Sequence, residues 1–171
     1  VKMFFEDDSK YVYAQLNKRA EIAIAISPDD IFTHVSYVNG ISTDDGGSHV
    51  KLVSDTVCKS LVANIKKKSK TLKVTAANVR NYVFIFLNTL IDNPAFSSQT
   101  KEKLTSKPKD FGTSLKIPDD ILKKVVKLPG CMDRLNSFVE FAELKNTKKT
   151  DGKKTKRIRG IPKLEDAHKA G

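Results

Sequence analysis

Three segments of the chain have the hydrophobic and polar patterning of β-strands. Residues 20–28, AEIAIAISP, alternate Ile with Ala at period two, which predicts a strand covered on both faces and ended by Pro28. Residues 31–43 are rich in β-branched and aromatic side chains and predict a second strand. The apolar run NYVFIFLNTLI at residues 81–91 predicts a third strand, at about residues 80–92.

The pattern changes to a helical period after the Gly-rich turn DDGGSHV, residues 44–50. Apolar residues then recur at spacings of three and four, which predicts an amphipathic helix over residues 49–66 with Ser48 as its N-cap. The residues on this apolar stripe are Val50, Val53, Val57, Leu61 and Ile65.

Three shorter helices are predicted in the second half of the chain. Residues 99–106, QTKEKLTS, are expected to form one or two helical turns. Residues 118–126 predict a helix with a proline in its first turn and two acids at its positive end, and residues 131–146 predict another helix. The order strand, strand, helix, strand and then helices predicts a mixed α/β layer in which a helix crosses over between strands.

Charge and composition limit the kinds of partner. The chain of 171 residues has 31 Lys and Arg against 20 Asp and Glu, and its net charge of +11 favours a polyanion such as nucleic acid or phosphate. Cys58 and Cys131 lack metal-ligand spacing, and we expect a reducing compartment. The longest apolar run is about eleven residues, too short for a membrane span, so no membrane partner is expected. Since the chain begins VKMFFEDDSK, without Met, we expect a fragment.

No group of residues identifies a catalytic or metal site. His34 lies in a predicted strand, His49 at a helix start and His168 in the tail, and none is placed near a nucleophile. Neither G-x-x-x-x-G-K-[ST] nor G-x-G-x-x-G occurs. The paired Asp residues fall at turns or helix starts, where acids cap backbone N–H groups. The residues alone would therefore not reveal an enzyme.

Lys66, Lys67 and Lys68 end the long predicted helix and have two interpretations. Cations at this end complement the helix dipole, although three adjacent lysines cannot all face the last carbonyls. Binding to a phosphate backbone is the other interpretation, and the residues alone do not decide between them. A second basic stretch, residues 145–159, has eight basic residues, one acid and no apolar period, and we interpret it as an exposed linker.

Lys101 follows Gln99 and Thr100 in a polar loop that leaves the third predicted strand. It is either a solvated lysine at a helix start or an ammonium group that contacts a terminal phosphate. In the second case Gln99 and Thr100 would supply further donors, and the charge-assisted hydrogen bond would be worth roughly 1.5–3 kcal/mol.

Three long motifs resemble eukaryotic type II DNA topoisomerases. They are SYVNGISTDDGGSHV (36–50), NTLIDNPAFSSQTKEKLTSKPKDFG (88–112) and GIPKLEDAHKAG (160–171). The resemblance covers the chain from about residue 20 to its end in the family's order, whereas the first nineteen residues match weakly. The last motif has a His-Lys pair where the family usually has a small or acidic pair.

The resemblance implies a fold and a domain division. It implies the transducer domain of such an enzyme, an α/β (α+β) fold like ribosomal protein S5 domain 2 with a left-handed βαβ crossover, against the usual handedness. Residues 1–19 would lead in from a preceding GHKL-type nucleotide-binding domain, and residues 20–144 would be the transducer domain. Residues 145–171 would be a basic linker towards a TOPRIM module, absent here.

The resemblance also implies site residues. Gln99, Thr100 and Lys101 correspond to a Q-T-K loop that reaches into the neighbouring nucleotide pocket, where the lysine contacts the γ-phosphate of ATP and the glutamine assists. The triple lysine at residues 66–68 corresponds to a segment linked to DNA binding and DNA-stimulated ATP hydrolysis. ATP binding and hydrolysis would thereby be coupled to N-gate closure and DNA strand passage.

The implied complete protein is a nuclear, homodimeric enzyme that acts on double-stranded DNA with ATP and Mg²⁺. We expect no Mg²⁺ ligands in this fragment, and we expect the fragment alone to be inactive because the family's nucleotide-pocket motifs and cleavage module do not occur in it. The alternative function is a stand-alone S5-like nucleic-acid-binding module without ATP coupling.

Overall fold

The computed structural model describes residues 5, 7–68, 74–137 and 141. The strands are β1 (Tyr11–Asn17), β2 (Ala20–Ile26), β3 (Thr33–Val38), β4 (Ile41–Ser42), β5 (Gly46–Gly47), β6 (Val83–Thr89) and β7 (Lys103–Leu104). Five of them form a mixed sheet in the order β1-β2-β6-β3-β4, and β5 pairs with β7 in a second sheet. Within the large sheet β3 and β6 are parallel, and the other neighbours are antiparallel.

The parallel pairing of β3 with β6 confirms the predicted crossover. The chain between these strands forms α1 (Ser48–Lys68) and the short α2 (Ala76–Arg80). The predicted apolar stripe of α1 is buried in the main core, and its residues are Val50, Val53, Val57, Leu61 and Ile65. The mixed α/β fold class is therefore confirmed.

The two faces of β2 differ as the alternation of Ile and Ala predicts. Its first two Ile residues and their partners on β6 belong to the same core cluster as the apolar stripe of α1. Ala23 and Ala25 lie on the opposite face beside Phe84 and Phe86, and the Phe5 ring packs edge-on against both of these rings. Both faces of the central strands are therefore covered by apolar groups.

Two strands differ from the prediction. The predicted strand at residues 31–43 is two strands, because Asn39 (φ +52°) and Gly40 (φ +80°) form a tight turn between β3 and β4. Two successive residues with positive φ are typical of a type I′ hairpin.

No element was predicted in the first nineteen residues, yet β1 pairs with β2 along the sheet edge. Its pattern is weak because an edge strand keeps polar side chains such as Gln15 in solvent.

The later helices agree with the prediction where they are described. α3 (Asp119–Val126) begins directly after Pro118, and residues 131–137 are also helical. Apart from residue 141, which is helical, the rest of the predicted helix to residue 146 and the basic linker lie outside the described residues. Over the ranges that the structure covers, no helix has both the length and the apolar composition that crossing a membrane requires.

Replacing Leu61 with Ala is expected to lower the free energy of unfolding by about 2–5 kcal/mol. The side chain is 1% exposed in the core cluster, and its truncation leaves a cavity. Leu90→Ala is the control, because Leu90 is 46% exposed and its truncation is expected to cost about 0.5 kcal/mol or less. Urea denaturation measures both values, and equal losses would contradict α1 as the core helix.

Candidate functional site

Residues 95–106 form a narrow hairpin, so the helix predicted at residues 99–106 is wrong. The stems are joined by two backbone hydrogen bonds, from the Ser97 N–H to the Lys103 carbonyl (3.0 Å) and from the Thr105 N–H to the Ala95 carbonyl (2.8 Å). The helical preference of Gln, Lys and Glu is weak, and it is overridden by this pairing and by the burial of Leu104.

The tip of this hairpin holds Gln99, Thr100 and Lys101. The Lys101 N–H donates to the Ser98 carbonyl (3.1 Å), which closes a tight turn, and the Thr100 and Ser98 hydroxyl oxygens are 2.6 Å apart. Lys101 is half-buried and has φ +60°, a left-handed conformation that costs a non-glycine residue about 1–2 kcal/mol. The structure therefore brings the predicted loop residues together around a strained lysine, a feature that clusters at functional sites.

The stem of the hairpin is anchored to the Gly-rich turn before α1. β7 pairs in parallel with β5, and the Asp45 N–H donates to the Glu102 carbonyl (3.0 Å), directly beside the tip. Gly47 has φ +133°, and a Cβ atom at this residue would lie 2.3 Å from the Leu104 carbonyl oxygen. Only glycine fits at residue 47. The sequence prediction missed this contact because the Gly-Gly pair was interpreted only as a turn.

A buried polar cluster connects the same turn to β3. The Thr43 hydroxyl donates to the Ser36 carbonyl (3.0 Å) and lies within hydrogen-bond distance of His49 Nε2 (3.2 Å). The Nδ1 atom of His49 has no hydrogen-bond partner among the described residues. Burial, and after it the charge of His34, lowers the pKa of His49 to about 4. His49 is therefore a neutral, structural residue at physiological pH.

The three predicted lysines occupy the last turn of α1, at the opposite end of this helix from Gly47. The side chains of Lys66 and Lys67 are exposed, and Lys68 is the last residue of the helix. A helix of 21 residues is about 31 Å long, so the two candidate sites lie at opposite ends of one element. Successive helical residues point about 100° apart, so Lys66 and Lys67 project from the helix in different directions.

The other candidate residues have no catalytic arrangement in the described ranges. Cys58 and Cys131 are buried, and burial raises the pKa of each thiol to about 11, so neither is a reactive thiolate. Burial also lowers the pKa of His34, and His168 lies outside the described residues. Within the part of the chain that is described, no group of three or more His, Cys, Asp or Glu could hold a metal ion.

A groove of about 540 Å³ opens on the sheet face away from α1. Here the Asn88 amide donates to Glu21 Oε1 (2.9 Å), and the Tyr13 hydroxyl donates to Glu21 Oε2 (2.8 Å). These two hydrogen bonds, that of Asn88 first, lower the pKa of the Glu21 carboxyl. None of the predicted site residues lines this groove.

The chain is similar to known proteins over nearly all of its length. The family described as DNA gyrase B matches residues 2–156. DNA topoisomerase 2 of Pisum sativum is 44% identical over 160 residues, and that of Saccharomyces cerevisiae is 42% identical over 160 residues. Each comparison covers 94% of this chain and 11% of the relative, so the chain spans about a tenth of the curated relatives it matches.

Solved structures with the same fold come from the same kind of protein. The ATPase and transducer domains of DNA topoisomerase II from Balamuthia mandrillaris match with a TM-score of 0.75 at 39% identity, over 82% of this chain and 35% of that chain. The ATPase region of Saccharomyces cerevisiae topoisomerase II bound to ICRF-187 matches with a TM-score of 0.67 at 39% identity, over 76% of this chain and 32% of that chain.

The free energy of unfolding is expected to fall as the pH drops from about 6.5 to about 4. The unfolded chain takes up a proton at an ordinary histidine pKa of 6.5, whereas folded His49 resists protonation down to a pKa of about 4. A shift of this size is worth about 3 kcal/mol, and His34, whose pKa burial also lowers, adds to the same fall.

His49→Gln tests the assignment, because the glutamine amide can donate to or accept from Thr43 and cannot titrate. Urea denaturation of both proteins at several pH values from about 7 to about 4.5 measures the fall. The variant should lose distinctly less stability over this range than the parent. An identical fall in both proteins would show that His49 does not carry the effect.

Proposed function

Because this chain belongs to the type II DNA topoisomerase family, we propose that it is the transducer region of such an enzyme. In this proposal the Gln99-Thr100-Lys101 tip detects the γ-phosphate of ATP held by a preceding GHKL domain. The fragment is part of an ATP-hydrolysing enzyme and is inactive alone. The complete enzyme is a homodimer that acts on double-stranded DNA, and we also propose that it acts in the nucleus.

The hairpin tip is the single observation that supports this proposal best. It presents an ammonium group on a lysine whose backbone is held at φ +60°, with the exposed side chains of Gln99 and Thr100 beside it. A charge-assisted hydrogen bond to a phosphate oxygen is worth roughly 1.5–3 kcal/mol. No phosphate-binding loop is needed in this chain, because the remaining nucleotide contacts and Mg²⁺ are proposed to be held by the GHKL domain.

The contact favours one orientation of the two domains as long as the γ-phosphate is present. After hydrolysis and release Lys101 loses its partner, and the orientation relaxes, as in other switch loops that contact a terminal phosphate. A contact of this size shifts an equilibrium by about tenfold to a hundredfold. Closure of the N-gate between the two protomers must therefore supply the rest of the free energy that shifts this equilibrium.

The lysines at the end of α1 are proposed to contact the DNA phosphate backbone. Lys66 and Lys67 are exposed, and the cationic end of a long helix extends the positive charge of a chain with a net charge of +11. Contact with DNA at this end is proposed to stimulate ATP hydrolysis. Such contacts carry no base specificity.

Lys101→Ala in the complete enzyme is expected to lower the kcat of ATP hydrolysis by about tenfold to a hundredfold, because the variant cannot form the charge-assisted hydrogen bond to the phosphate. Alanine keeps the Cβ atom and therefore the same backbone strain. Lys103→Ala is the matched control, since it removes an exposed lysine from the stem of the same hairpin. Steady-state hydrolysis with DNA present measures both, and near-normal turnover of Lys101→Ala would end the phosphate-sensing proposal.

Replacing the lysines at residues 66–68 together with Gln is expected to weaken DNA stimulation of ATP hydrolysis. The slope of log apparent DNA affinity against log salt concentration should also flatten by about 0.9 for each lysine that no longer binds a phosphate. The control removes the same charge from exposed lysines on and just after α3, at residues 123, 124 and 127. Equal effects of the two triple variants would indicate a general charge effect and contradict a specific contact.

A further inference from the structure

We propose that Gly47 is a positioning residue for Lys101, and that α1 joins the Lys101 hairpin to the lysines at residues 66–68 as one rigid body. This inference rests on the proposed function of both ends. It adds a physical route by which DNA at one end of the helix affects the phosphate contact at the other.

The first step is the attachment of the hairpin to the turn before α1. β7 is paired on both sides, because Leu104 forms an isolated bridge with Phe96 on one side and β5 pairs with β7 on the other. The hydrogen bond from the Asp45 N–H to the Glu102 carbonyl (3.0 Å) extends this pairing to the residue that follows Lys101. Lys101 therefore cannot shift far unless β5 shifts with it.

The second step is the direct continuation of β5 into α1. Gly47 ends β5, and Ser48 is the first residue of the helix, so no linker separates them. The next residue, His49, is fully buried and is held by its contact with the Thr43 hydroxyl (3.2 Å). From there to Ile65 the helix is packed in the core. A force applied at Lys66 and Lys67 therefore acts on the hairpin through packed elements only.

Gly47 is the residue at which a single substitution would separate β5 from β7. A Cβ atom there would meet the carbonyl oxygen, nitrogen and carbonyl carbon of Leu104 at 2.3, 2.6 and 2.9 Å. These are backbone atoms of β7, so they cannot rotate away as a side chain would, and an added methyl group must push β5 and β7 apart. Gly40 is the matched control, because it also has a positive φ (+80°) but nothing lies within 4 Å of its Cβ position.

The test measures kcat and KM for ATP in the complete enzyme, with and without DNA, for Gly47→Ala and Gly40→Ala. Gly47→Ala is expected to lower the DNA-stimulated kcat by about tenfold or more and to bring the stimulation ratio close to one. The KM should change by about twofold or less, because most nucleotide contacts lie in another domain. Gly40→Ala should behave as the parent. Parent-like kcat and stimulation in Gly47→Ala would overturn the inference.

Two further measurements keep the outcomes separate. Lys101→Ala is assayed in parallel. Normal ATP turnover of this variant would contradict the proposed function. Loss of turnover in Lys101→Ala together with parent-like turnover in Gly47→Ala would contradict only the inference about Gly47. If Gly47→Ala does not fold, hydrogen exchange is measured on the unmutated enzyme with DNA and a non-hydrolysable ATP analogue. Residues 45–47 and 97–105 should gain protection together when DNA is added. Protection of one segment without the other would overturn the rigid connection.

Discussion

The parallel pairing of β3 with β6 is the constraint on which the rest of the structure depends. Parallel neighbours cannot be joined by a tight turn, so the chain must cross one face of the sheet between them, and α1 makes most of that crossing. The crossing places the start of α1 beside β5 and its basic end about 31 Å away. The separation of the two candidate sites is thus a consequence of sheet topology.

Burial on a regular period explains which elements could be predicted from the sequence. The alternating Ile and Ala residues of β2 and the stripe of α1 follow a regular period, and β6 is a continuous apolar run that is buried at six of its seven residues. The hairpin at residues 95–106 is held by pairing between stems and by contact with the distant β5, which no local pattern records. The role of Gly47 was hidden for the same reason, whereas the turn at Asn39 and Gly40 could have been read from that dipeptide. The site roles of Gln99, Thr100 and Lys101 came from family resemblance rather than from residue spacing.

The stem of the hairpin stabilises the turn, and the tip carries the exposed side chains. Burying the Leu104 side chain contributes about 1.5–3 kcal/mol, and the two backbone hydrogen bonds of the stem contribute about 0.5–1.5 kcal/mol each. Together they exceed the roughly 1–2 kcal/mol that the left-handed conformation of Lys101 costs. The stem therefore holds the strained turn without help from the tip side chains. Gln99 and Thr100 are exposed and lie outside the core, so they are available for the proposed contact with a nucleotide held by another domain.

Rigid attachment of this loop matters because the free energy of one contact is small. Moving a two-state equilibrium from 1:99 to 99:1 requires about 5.5 kcal/mol, whereas one charge-assisted hydrogen bond supplies roughly 1.5–3 kcal/mol. Two Lys101 contacts in the proposed homodimer would together supply about 3–6 kcal/mol. This amount reaches about 5.5 kcal/mol only when little of it is lost to ordering the loop. Ordering a flexible loop costs about 1–2 kcal/mol per residue in backbone entropy alone. A tip of three mobile residues would consume the whole gain. The hydrogen bond from the Lys101 N–H to the Ser98 carbonyl and the pairing of β7 with β5 order the loop, and so lower this cost for the proposed phosphate contact.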